Sequence, residues 1–160
     1  MKRRIALPLI SALIVSAGVG SAFGDGHSDK AIESAIKARK AQMTLISYNM
    51  GILGDMAKGQ TEFDSATATA AATSLSSVAK LDRDLFWLEG SIQGTVPDTR
   101  AKETIWSDPA GFEDAAQGLE SAADALIAAA GTDLVALQGA MGTAGKSCGT
   151  CHETYRGPRN

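Results

Sequence analysis

The stretch "KSCGTCHETYRGP", Lys146–Pro158, holds both of the chain's cysteines and one of its two histidines. Cys148, Cys151 and His152 are close enough in sequence to act as one chemical unit. On a helix, cysteines three apart lie on nearly the same face, and the adjoining histidine can turn beside the second. Four chemistries use such residues: a disulfide, a metal site, a thiol redox pair and covalent haem attachment. A disulfide here would close a tiny loop and restrict the unfolded chain very little. A tetrahedral zinc site lacks donors, because outside the motif only His27 remains and it lies near the start of the chain. A thioredoxin-like pair belongs in a βαβ context, and the rest of this chain reads as helical. The pattern C-x-x-C-H fits haem c: thioethers from Cys148 and Cys151, and an axial imidazole from His152.

Working outward, Gly157-Pro158 stops the helix that carries the motif. Leu134, Leu137 and Met141 form its earlier apolar stripe, with Thr132 or Asp133 as its cap. The preceding helix starts at Asp108-Pro109, a capping residue followed by a first-turn proline, and runs to Ala130. Its inward residues are Phe112, Leu119, Ala122, Leu126 and Ala129, and Gly131 ends it. Further upstream, Gly90, Gly94 and Pro97 mark one long connection.

A helix over residues 64–88 is predicted before that connection, with Phe63 and Asp64 as staple and cap and Leu75, Val78, Leu81, Leu85 and Leu88 as its stripe. Trp87 and Phe86 read as packing residues there, and Trp106 as a packing residue near the haem edge or a seal of the bundle end. The first helix spans 29–58, where Ile32, Ile36, Met43, Ile46, Met50 and Leu53 recur at three- and four-residue steps. Gly59 ends it. Four helices, mostly joined by short turns, predict an all-α antiparallel four-helix bundle.

The N-terminus has the form of a secretory signal. Lys2, Arg3 and Arg4 precede an apolar run from Ile5 to Val19, then small residues around Ala22 and Gly24. Pro8, serines and glycines make the run short for a spanning helix, which needs about 20 residues. The expectation is a cleaved leader, 1–24, and a haem domain, 25–160, in the periplasm. Of 15 basic and 18 acidic residues the leader takes three basic ones, leaving 12 against 18, a formal charge of −6. Such a balance argues against nucleic acid or an anionic membrane surface as partner.

With its haem motif on the last of four helices, the chain resembles the class II c-type cytochromes, the cytochrome c-prime family. "ARKAQM" in the first helix, "ETIWSDPAGF" before the third and "KSCGTCHETYR" in the fourth carry the likeness, which covers the whole mature chain. The resemblance implies one haem c on Cys148 and Cys151 with His152 as axial ligand. It implies that Arg39 lies near a haem propionate and Arg156 beside the haem; a solvated surface role is the competing reading for both. Met43 takes the family position that faces the distal side of iron. As a sixth ligand it would make a low-spin electron carrier, whereas core filling would leave five-coordinate iron open to nitric oxide or carbon monoxide. The functional expectation is a one-electron carrier, not an enzyme, serving periplasmic redox partners, with gas binding as the alternative. The family's homodimers use the first two helices, and the small residues of Ala66–Ala72 are the surface expected to serve here.

Overall fold

In a computed structural model of the chain, the expected bundle forms with one helix redrawn. The structure describes residues 26–159, so the leader and its cleavage point lie outside the described residues. The first helix, α1 (Asp29–Ala57), opens on Ser28, whose hydroxyl accepts from the Ala31 amide at 3.3 Å. Just past its end Gly59 adopts a φ of 69°, a conformation that costs glycine least. Asp64 then caps α2 (Ser65–Ala79), accepting from the Thr67 amide at 2.7 Å.

Helix α2 stops nine residues short of the predicted Leu88. The carboxylate of Asp82 accepts from the Asp84 amide at 3.1 Å and caps a separate 3-10 turn, Arg83–Leu85. Arg83 forks onto Glu113 at 2.6 and 2.9 Å and also reaches Glu120, which ties the turn to another helix. Leu81 and Leu85 are consequently exposed, at 43% and 66%, and not part of the core stripe. Leucine spacing persisted, but local Asp capping and the Arg83 fork won over it.

A short helix unforeseen in the sequence, α3 (Thr104–Ser107), precedes α4 (Pro109–Ala130), capped by Asp108 as expected. Asp133 caps α5 (Leu134–Tyr155), accepting from the Ala136 amide at 2.8 Å. The four long helices touch in the ring α1–α2–α4–α5–α1. Their polar cross-links establish antiparallel neighbours: Ser65 bonds the Ala130 carbonyl at one end of α2, and Ser76 bonds Asp124 further along.

The main core packs Leu53, Leu75, Leu126 and Leu137, all at 0% exposure, among small residues including Ala68, Ala72, Ala123 and Ala144. Each such leucine contributes roughly 1.5–3 kcal/mol by leaving water. Ala68, Ala71 and Ala72 are therefore inside the bundle, so much of the small-residue face expected for a dimer is spent on the monomer's own core. This core extends to Ile46 on α1 and Ala144 on α5, short of the cysteine motif. A second cluster, built on Ala101, Ile105 and Tyr155, sits at the motif end. No helix among the described residues is long and apolar enough to cross a membrane.

Candidate functional site

Cys148, Cys151 and His152 occupy the last turns of α5, all half-buried. Their position opposite α1 follows from two contacts. The Gln138 amide donates to the Ala57 carbonyl at 2.8 Å, and a Cβ added to Gly54 would meet Met141 Cε at 3.6 Å. Because the helices are antiparallel, stepping towards the motif raises the number on α5 and lowers it equally on α1. Met43 thereby comes level with His152. Alternating steps of three and four residues put Met50, Ser47 and Met43 on the α1 stripe begun by Ala57 and Gly54, and Gly145, Cys148 and His152 on the facing α5 stripe. Met43 is 39% exposed, unlike the core residues on either side, Arg39 and Ile46. Space also borders the motif on α5: a Cβ at Gly145 or Gly149 would meet nothing within 4 Å.

Arg39, one turn before Met43, is 4% exposed and is not a solvated surface group. Its guanidinium donates to Ser91 Oγ at 2.7 Å, to the Ser91 carbonyl at 2.9 Å and to the Thr99 hydroxyl. The guanidinium carbon also lies 4.7 Å from the Trp87 ring centre. Among the described residues no salt bridge includes Arg39. Burial pushes its pKa down to about 10. A buried guanidinium held only by neutral acceptors and an aromatic face is costly, and an anion brought beside it would be favoured.

From Trp87 an aromatic series crosses to the motif helix. Trp87 meets Phe112 edge-on at 5.0 Å between ring centres, and Phe112 meets Tyr155 at 5.3 Å. Trp106 donates from Nε1 to the Trp87 carbonyl at 2.9 Å and packs against the same cluster. Cys151 packs against this same cluster. Trp87 belongs to this cluster and not to a continuation of α2, and Ser91 and Thr99 had no signal in the sequence beyond their place in the long connection.

The chain beyond α5 is strapped to residues 100–102. The Gly157 amide donates to the Arg100 carbonyl at 2.7 Å and the Lys102 amide to the Tyr155 carbonyl at 3.0 Å. Arg156, exposed, lines a hollow of about 360 Å³ with His152, Gly149 and Arg100. Burial and the positive charges of Arg156 and Arg100 lower the His152 pKa, favouring a neutral imidazole with a free lone pair. Burial raises both thiol pKa values; the Cys148 charge raises that of Cys151 further while Arg156 opposes.

Two free thiols on one helical face, an adjoining neutral imidazole and open space beside Gly145 and Gly149 suit a covalently held porphyrin. Comparison with known proteins bears on the same point. The family model for cytochrome c' matches residues 34–156. The chain belongs to the cytochrome c' family.

The cytochrome c-554 of Cereibacter sphaeroides is 44% identical over 125 residues, covering 78% of this chain and 82% of that protein. A cytochrome c' from the same organism is 32% identical over 156 residues, 98% of both chains. Among solved structures, cytochrome c' from "Rhodobacter Spheriodes" superposes with a TM-score of 0.77 at 34% identity, covering 80% of this chain and 98% of that one. A nitric oxide complex of a mutant cytochrome c prime from Alcaligenes xylosoxidans gives 0.70 at 32% identity over 80% and 97% of the two chains. Membership in the cytochrome c' family makes this a monohaem c-type cytochrome, with haem c attached through Cys148 and Cys151.

Proposed function

We propose that the protein is a periplasmic one-electron carrier whose haem iron is held by His152 and Met43, without substrate turnover. The observation that carries this reading is the level pairing of Met43 with His152 on facing stripes of α1 and α5, fixed by the Gln138–Ala57 and Gly54–Met141 contacts. When bound, haem c supplies the one-electron couple. Cys148 and Cys151 would tether it, and the His152 imidazole, kept neutral by burial and the nearby arginines, would hold the iron from α5. The Met43 thioether would hold it from α1 and favour the ferrous state. Arg39, lacking a carboxylate partner among the described residues, offers its charge to a haem propionate. Arg156 adds positive charge beside His152. The leader features of residues 1–24 support export to the periplasm, where haem of this kind is attached.

The alternative is a five-coordinate gas binder, and the nitric oxide complex of the Alcaligenes xylosoxidans relative favours it. Carbon monoxide added to the reduced holoprotein separates the two. The carrier reading expects little change in the Soret band at modest gas concentrations, since Met43 fills the sixth position. Prompt, stoichiometric carbon monoxide binding supports the gas binder and overturns the carrier.

We also propose a homodimer through the outer face of α1, where Leu45 and Tyr48 are 48% and 66% exposed. Sedimentation of wild type and Tyr48→Glu tests it: a dimer converted to monomer is expected, and a wild-type monomer at high micromolar concentration rejects it.

A further inference from the structure

Four basic side chains from two distant segments converge beside the motif. Arg100 Nε donates to the Gly157 carbonyl at 2.8 Å and the Pro158 carbonyl at 3.1 Å. Lys102 Nζ donates to the Glu153 carbonyl at 2.8 Å. Arg156 shares the hollow with Arg100, and Arg159 is near enough that its charge, after burial and with Arg156, lowers the Arg100 pKa. Among the described residues no salt bridge neutralises any of the four. Glu153 is the single carboxylate lining the hollow.

This local charge opposes that of the molecule, which has 12 basic and 18 acidic residues once the leader is set aside. Attraction to the carbonyl end of α5 accounts for Lys102, but not for Arg159, which is exposed and beyond the helix. We propose that this face is the docking surface for a carboxylate-bearing patch on an acidic redox partner protein. The proposal rests on the electron-carrier reading and adds the partner's chemistry to it. A protein surface fits better than a small anion, because the cations form a broad, open rim with no enclosed cage of donors. Such a rim steers an oppositely charged partner at long range and raises its encounter rate by about 10-fold or more at low salt.

The test uses reduced holoprotein and two independent readouts. In the first, polyglutamate, polylysine and inorganic phosphate are titrated while backbone amide shifts are followed. Polyglutamate is expected to shift the amides of residues 100–102 and 156–159, with the effect fading as salt rises. Shifts from phosphate alone, shifts from polylysine there, or polyglutamate shifts scattered over the bundle overturn the proposal. This readout needs no electron transfer, so it stands apart from failure of the carrier reading.

In the second, oxidation by ferricyanide is timed against ionic strength. The patch predicts a rate that falls with salt, whereas the net charge alone predicts a rise. Arg159→Glu with Lys102→Gln is expected to slow the low-salt rate by about 10-fold. Lys58→Glu, at the opposite end of α1, is expected to slow it far less, since Coulomb attraction weakens with distance from the docking face. A rate that rises with salt in wild type, or equal slowing by the two variants, rejects the patch.

Discussion

The Tyr155 hydroxyl donates to Asp108 Oδ2 at 3.0 Å, while Oδ1 of the same carboxylate accepts from the Gly111 amide at 3.1 Å. One acid thus caps α4 and anchors the end of the helix that carries the haem motif. The arrangement leaves no room at Gly111: a Cβ there would collide with the Asp108 carboxylate and stand 2.6 Å from the Tyr155 hydroxyl. Gly111→Ala is therefore expected to destabilise the fold by about 1–3 kcal/mol despite alanine's better helix propensity. Tyr155→Phe removes the hydrogen bond but keeps the packing on Phe112, and should cost roughly 1 kcal/mol. Urea unfolding of both variants checks the order; a stabilised Gly111→Ala would show that the anchor does not constrain α4.

Arg39 joins α1 to the long connection through Ser91, Thr99 and the Trp87 face, using the planar fork of the guanidinium. Lysine cannot reproduce that fork or the stacking. Arg39→Lys should consequently lose about 2–3 kcal/mol by losing charge-assisted bonds. Amide exchange is expected to quicken most between residues 91 and 101. Unchanged protection of that segment would mean the connection is held elsewhere.

Acid should loosen the link between the 3-10 turn and α4. Hydrogen bonds from Arg83, then Gln117, hold the Glu113 pKa below its ordinary value of 4.5. A carboxylate lowered on folding contributes stability above its unfolded pKa, and that contribution disappears as pH falls through the folded value. Wild type should therefore lose stability below about pH 4.5, and Arg83→Ala should lose less over the same range. At neutral pH Arg83→Ala is expected to cost roughly 1–2 kcal/mol, because its fork is only partly exposed. Parallel acid titrations of both proteins, followed by helical circular dichroism, compare the slopes.

Much of the bundle was legible because caps and spacing agreed. Asp64, Asp108 and Asp133, the last one of two candidates with Thr132, all accept from first-turn amides. The second helix was over-extended because Leu81 and Leu85 continue its leucine spacing, while the partners that stop it, Glu113 and Glu120, lie some 30 and 37 residues on from Arg83. The same distance in sequence concealed the basic rim, since Arg100 and Lys102 meet Arg156 and Arg159 only through the strap. Cys148, Cys151 and His152 were readable because their chemistry is local to one helix. Met43 and Arg39 needed the pairing of α1 with α5 and with the long connection, which spacing alone does not supply.

The ferric absorption spectrum of the holoprotein and its Met43→Ala variant tests the central assignment. The account predicts low-spin iron with a methionine-to-iron charge-transfer band in wild type, and high-spin iron without that band in the variant. High-spin wild-type iron, or a band that survives the substitution, would contradict it.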